Sequence, residues 1–244
     1  MINRESVYSV PEEIDGDAFW EYHQHEHTVH IMDAAPEIKK YVINRVIKTL
    51  QGEQPFFGSQ NYTGFAKFWY EGIEAMNKAF KSMEDIYLPN GNSVLNDYND
   101  QLAFCCTYLM EDFIAKDPGT KIYATKGSGM AKRIFTTSLK AGTDKDAFWK
   151  YWTEEYAPAI VKASSHGLKK YVISRVTTVA YGEQPYFAIS EMWFENEAAM
   201  NKAVEAWKTI EPPGGQSALN NYESNMVGNW ATIVEEYVAK DTLP

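Results

Sequence analysis

Residues 17–27 read DAFWEYHQHEH, and residues 146–156 read DAFWKYWTEEY. This match is the first of a series. KKYVINRV (39–46) returns as KKYVISRV (169–176), GEQPFF (52–57) as GEQPYF (182–187), and AMNKA (75–79) at 199–203. GNSVLNDY (91–98) returns as GQSALNNY (215–222), and EDFIAKD (111–117) as EEYVAKD (235–241). The order never changes. The spacing is 129 at the first pair, 130 at the next two and 124 from AMNKA onward, so copy one carries a net insertion of six residues within GSQNYTGFA (58–66). Ordered self-similarity of this kind marks a tandem duplication. It divides the chain into a first unit (1–124), a Gly/Ser-containing linker, TKGSGMAK (125–132), and a second unit (133–244).

Each copy has the same pattern of elements. A short strand near 5–10 or 133–139 precedes an amphipathic helix over 15–34 or 144–165, whose apolar residues recur at helical spacing. An alternating β-rich run follows (38–50, 168–181), then GEQP as a turn and a third strand (65–70, 188–194). A second helix starts near Glu71 and Asn196 and carries AMNKA; a Gly/Pro loop, LPNGN or EPPGGQ, ends it. The last strand covers 103–113 or 227–237. The order β-α-β-β-α-β is the ferredoxin-like, split βαβ unit, an α+β architecture with helices on one face of a sheet. Two such units in one chain can cover each other's open faces and form a pseudo-dimeric α/β barrel.

The residues also resemble a known family. FWKYWTEEYAPAIV (148–161), GLKKYV (167–172) and PYFAISEMWFEN (185–196) in copy two, with HEHTVHI (25–31) in copy one, resemble the EthD-like branch of the dimeric α/β-barrel superfamily. The resemblance covers both units. It implies the ferredoxin-like fold, with the fused tandem in place of the homodimer. It also implies a place among polyketide cyclases, muconolactone isomerases, lyases, cofactor-independent monooxygenases and heme proteins. His27 falls where the family has its helix-end His, whereas copy two has Tyr156 there, so two equivalent active sites are not expected.

Composition narrows the partners. Of 244 residues, 45% are hydrophobic and 14% aromatic, as in a soluble globular protein with material for an aromatic-walled pocket. A net charge of −10 excludes nucleic acid and anionic membranes as expected partners, because both need a basic face. The N-terminus lacks the zones of a signal peptide, and no apolar stretch approaches a spanning length. The two cysteines, Cys105 and Cys106, are adjacent and read as strand packing, which fits a reducing cytoplasm. A small molecule is the expected partner, with the chain a monomer or a homodimer.

The histidines carry the functional expectation. On a helix, Phe19, Trp20, His23, His27, His30 and Ile31 share one face. Copy two places Trp152, Tyr156 and Ala159 where copy one has His23, His27 and His30. The fold therefore does not need these imidazoles, and a buried imidazole must find a hydrogen-bond partner. The alternative is drift after duplication, with each ring satisfied internally. On the functional reading, His27 helped by His23 transfers a proton, since the unperturbed imidazole pKa lies near 6.5. The competing reading makes His23, His27 and His30 ligands of a metal or of heme iron; no further ligand motif accompanies them. No cofactor is expected on the first reading.

In KKYVINRV, alternation puts Tyr41, Ile43 and Arg45 on one face and Val42, Asn44 and Val46 on the other. Tyr41 and Arg45 are expected to hold a developing oxyanion; the alternative is an Arg at the strand end that pairs with Glu53 or, for Arg175 in copy two, with Glu183. Trp20, His30, Asn44, Trp69, Trp152, Tyr156 and Arg175 are the expected substrate contacts. Glu191 precedes the Trp of copy two where copy one has Lys67. Together these readings predict a cofactor-independent lyase, cyclase, dehydratase or isomerase acting on a small apolar, aromatic or polyketide-like substrate, with a heme or metal protein and a non-catalytic carrier as alternatives.

Overall fold

A computed structural model of the chain describes residues 1–50, 62–97, 101–183, 186–210 and 225–244. Unit one contains β1 (Ile2–Ser9), α1 (Gly16–Tyr22), α2 (Thr28–Ala34), β2 (Lys40–Leu50), β3 (Gly64–Tyr70), α3 (Ile73–Asp85) and β4 (Phe104–Lys116). Unit two contains β5 (Ala131–Leu139), α4 (Lys145–Tyr151), α5 (Ala157–Ala163), β6 (Leu168–Tyr181), β7 (Ala188–Phe194), α6 (Glu197–Trp207) and β8 (Met226–Asp241).

The eight strands close into one barrel in the order β1-β3-β2-β8-β5-β7-β6-β4, with antiparallel neighbours throughout. Each unit contributes four consecutive strands. The units join where β2 meets β8 and β4 meets β6, so each sheet's open edges are paired by the other copy. This is the pseudo-dimeric α/β barrel that the duplication predicts. The connection between units runs from 117 to 130, because β4 continues to Lys116 and Ala131 opens β5; Ala131 and Lys132, read above as linker, are strand residues. The first GEQP turn, Gln184 and Pro185 of the second, residues 58–61 of the insertion and the EPPGGQ loop lie outside the described residues.

Strand alternation separates two environments. Tyr8, Tyr41, Ile43 and Phe68 face outward under the helices of unit one, against Phe19, Trp20 and Ile31. Val7, Phe65, Tyr108, Ile134, Ile189 and Val234 face into the barrel. Unit two repeats the outer layer with Phe148, Trp152, Ile160, Tyr171 and Phe194.

The first long helix of each unit is not uniformly α. Asp15 and Asp144 cap their starts, each carboxylate accepting from two backbone N–H groups. A π-helical turn then interrupts each, over His23–His27 and Trp152–Tyr156. Its i→i+5 bonding inserts a residue into the turn and rotates the following segment. Because both copies have the turn and only one has the histidines, the turn belongs to the fold.

Candidate active site

The π-turn decides which histidines are buried. His23 and His27 point into the layer between helix and sheet, at 0% and 2% exposure. Beyond the turn Thr28 and Ile31 take the core-facing positions, and His30 moves to the edge, its side chain 35% exposed. A uniform 100° step places His30 in the buried stripe; the inserted residue is the reason it is not there.

His23 is enclosed by aromatic rings. Trp20 stacks on it at 5.5 Å, and Phe19 and Tyr8 meet it edge-on. Its Nδ1 lies 3.2 Å from the Tyr8 hydroxyl and its Nε2 3.4 Å from the Tyr41 hydroxyl. Burial, then the neighbouring His27, push its pKa well below the ordinary imidazole value, so the ring is neutral at pH 7. Gly64 makes room for this arrangement. A Cβ there would lie 2.5 Å from the Tyr8 hydroxyl and 2.8 Å from Trp20. Copy two has Ala188 at this position and the small Thr137 in place of Tyr8.

His27 packs edge-on against His23, with centroids 5.4 Å apart. Its Nδ1 lies 3.5 Å from Oδ2 of Asp97, at the outer limit of a hydrogen bond. Asp97 follows the short 3-10 turn Val94–Asn96 and is a hub. The Tyr22 hydroxyl donates to its Oδ2, the Asn90 amide donates to Oδ1 at 3.0 Å, and His30 Nδ1 stands 3.6 Å from Oδ2. Burial alone would raise the Asp97 pKa, but His27, Tyr22 and Asn90 hold it well below the usual carboxylate range. Burial lowers His27 and Asp97 partly offsets this, leaving a net downward shift. At neutral pH the pair is thus a neutral imidazole beside a carboxylate. Titratable groups run continuously from the surface inward: His30, Asp97, His27, His23, and then the hydroxyls of Tyr8 and Tyr41.

Unit two fills the same layer without this chemistry. Trp152 occupies the His23 position, and its Nε1 donates to the Tyr171 hydroxyl at 3.2 Å, where Tyr171 is the counterpart of Tyr41. Tyr156 is buried in place of His27.

The remaining expected contacts lie elsewhere. Arg45 does not face His23. It reaches the surface, pairs with Asp17 at 2.5 Å and covers the outer side of Trp20, because the strand carries it past the end of the helix layer. Arg175 does the same with Asp146. Both lie in mid-strand rather than at a strand end, each paired with an aspartate in the first turn of a helix; Glu53 lies outside the described residues. Asn44 and Trp69 belong to the opposite side of the sheet: Asn44 accepts from Lys132 inside the barrel, and Trp69 stands at the barrel's end. The three-histidine metal set does not form. Both His23 nitrogens face tyrosine hydroxyls, His27 and His30 face Asp97, and among the described residues no group of three or more His, Cys, Asp or Glu side chains is arranged to hold a metal. The three histidines therefore do not converge on one metal ion.

Sequence reasoning missed Asp97, Tyr22, Asn90 and Tyr8. A signal existed for two of them: Asp97 and Tyr8, like His23 and His27, differ between the copies, which have Asn221 and Thr137 instead.

The EthD domain family model matches residues 140–212, within the second unit. No curated protein sequence matches the chain. Among solved structures, an anthrone oxidase-like protein is 11% identical, with a TM-score of 0.61 over 99% of this chain and 94% of that one. A candidate monooxygenase from Fusobacterium nucleatum subsp. nucleatum is 10% identical, with a TM-score of 0.58 over 97% and 93%. Chlorite dismutase from Candidatus Nitrospira defluvii is 8% identical, with a TM-score of 0.50 over 96% and 91%. At these identities the likeness is one of fold, and the fold is the dimeric α/β barrel. No described helix is long and apolar enough to cross a membrane.

Proposed function

We propose that the chain is an enzyme whose first unit moves a proton to or from a small apolar, aromatic or polyketide-like substrate. His27 is the acid–base group, Asp97 its orienting partner, and His23 with Tyr8 and Tyr41 a backing set of exchangeable protons. One observation carries the reading. Between copies of one fold, His23 stands for Trp152, His27 for Tyr156, Tyr8 for Thr137, Gly64 for Ala188 and Asp97 for Asn221. These five differences meet at a single site in unit one, and the barrel is the same without them.

A neutral imidazole beside an anionic carboxylate suits proton abstraction: the carboxylate orients the ring and stabilises the imidazolium that forms. Abstraction from an acidic C–H is the first step of isomerisation and of cyclisation by C–C bond formation. It is also the first step of cofactor-free oxidation of ketones that form stable enolates, so the assignment of His27 does not depend on which follows. An anthrone oxidase-like protein and candidate monooxygenases share the fold, which makes polycyclic aromatic ketones the first class to screen.

The test is turnover of a panel of enolisable aromatic ketones by the wild type and by His27→Gln. The proposal expects a loss of about 10²–10⁴-fold in the variant, the usual span for a general acid or base, with an unchanged melting temperature. Full activity in a folded His27→Gln protein contradicts it.

A further inference from the structure

The barrel interior has a second polar site, unrelated to the histidines. One polar side chain from each of the eight strands forms a belt: Glu5, Asn44, Lys67, Asp112, Lys132, Ser174, Glu191 and Glu236. Lys67 Nζ contacts Glu191 Oε2 at 2.7 Å and Ser174 at 2.8 Å. Lys132 Nζ contacts Glu191 Oε1 at 2.6 Å, Asn44 at 2.7 Å and Glu236 at 2.9 Å. On one side of the belt the barrel is packed with apolar residues. On the other lies an open cavity of about 450 Å³, within the usual range for small-molecule sites.

The mouth of this cavity is pseudo-symmetric. Lys40 lies 5.0 Å from the Trp69 ring centre, and its repeat counterpart Lys170 lies 5.0 Å from that of Trp193. The two lysines differ in their partners. Lys40 pairs with Asp241 at 3.2 Å. The repeat counterpart of Asp241 is Asp117, whose carboxylate instead accepts the backbone N–H of Gly119 and opens the connection between the units. That connection folds over the cavity, held by Ala124 N to Glu236 Oε2 at 2.6 Å and by the Tyr123 hydroxyl on Asp241. Of the five lysines lining the cavity, Lys40, Lys67, Lys121 and Lys132 each have a carboxylate partner; Lys170 has none among the described residues. Burial, then Lys40 and Lys132, push its pKa down against the opposing pull of Glu191 and Glu236, neither of which is within ion-pair distance of it.

We infer that this cavity binds a small aromatic carboxylate, its anionic group on Lys170 and its ring between Trp69 and Trp193. The carboxylate takes the place that Asp241 fills beside Lys40. Trp69, Trp193, Val42 and Val172, all in the cavity lining, supply the apolar contact for a flat body. The site is separate from the helix layer of His27, and the inference does not depend on the proposed reaction.

Calorimetric titration with 2-naphthoate tests it, using the full chain and its methyl ester as the neutral control. The wild type is expected to bind one equivalent saturably, and the ester about tenfold more weakly or worse, as for loss of one charge-assisted contact. Lys170→Met should weaken naphthoate binding by about tenfold or more, whereas Lys170→Arg, which keeps the charge, should stay within about threefold. His27→Gln should bind as the wild type does. Four results would each overturn the inference: no saturation in the wild type, equal affinity for the ester, unchanged binding in Lys170→Met, or loss of binding in His27→Gln.

Discussion

Lys67 and Glu191 stand at the same position of the two repeats and meet across the barrel, Nζ to Oε2 at 2.7 Å, from the diametrically opposed strands β3 and β7. In a symmetric homodimer the position would face its own copy, and a like pair of buried charges is costly. Fusion into one chain removes that constraint and lets the two copies become complementary.

The pair is not symmetric in its consequences, because Glu191 serves both Lys67 and Lys132. Glu191→Met removes a carboxylate from two buried ammonium groups at once, leaving Lys132 with Glu236 and Lys67 with the more distant Glu5 and Asp112, and should cost up to about 3–5 kcal/mol, the range for breaking a buried pair. Lys67→Met leaves Glu191 with Lys132 and should cost less. The exchange Lys67→Glu/Glu191→Lys should not restore stability, since it puts a carboxylate beside Glu5 and Asp112 and an ammonium beside Lys132. Urea unfolding of the three variants measures this; full recovery in the exchange variant contradicts the arrangement.

Glu5 sets a pH dependence of its own. Burial raises its pKa to about 7 against the pull of Lys67. Between about pH 4.5 and 7 the unfolded chain has lost this proton and the folded chain keeps it, so stability falls as pH rises through that window. Glu5→Gln cannot titrate. Its stability relative to wild type should improve from pH 4.5 to 7, by at most about 1.4 kcal/mol per pH unit, and level off above. Parallel thermal or urea curves at several pH values give the answer.

His23 acts in the opposite direction. Its folded pKa is depressed, so below about pH 6.5 the unfolded chain takes up a proton that the folded chain refuses, and stability falls as pH falls. His27 adds to the same loss. His23→Gln keeps a donor and an acceptor for Tyr8 and Tyr41 but does not titrate. The decline in stability from pH 6.5 to 5 should therefore be shallower in this variant than in wild type. An unchanged slope would mean that His23 is protonated in the folded state.

Asp97→Asn copies the residue of unit two. The carboxylate raises the His27 pKa against burial, so its loss should lower that pKa further. The acid limb of the pH–rate profile should move to lower pH, and the rate should fall by about 10²-fold or more, since the imidazolium loses its counter-charge. A purely structural Asp97 would change stability and leave the position of the limb alone.

The fold was legible because the chain states it twice. Repeats aligned in order gave the β-α-β-β-α-β unit, and the closing of two such sheets followed from their open faces. The site was less legible for three reasons. A 100° step cannot anticipate the π-turn that carries His30 to the edge. Strand alternation assigns a face but not depth, so Arg45 shared the face of Tyr41 and still reached solvent. Asp97 lies far along the chain from His27, and its role shows only when each copy-one difference is set against the others. Lys67 and Glu191 differ between the aligned copies, but only the barrel reveals that they face each other.

The most direct test of proton transfer at His27 does not require the net reaction. Solvent deuterium exchange into the acidic C–H of an anthrone-type ketone, followed by ¹H NMR in D₂O, reads the proton step alone. The account predicts that the wild type accelerates exchange, that His27→Gln abolishes the acceleration, and that Asp97→Asn reduces it. Acceleration that persists undiminished in a folded His27→Gln protein would contradict the assignment of His27 as the acid–base group.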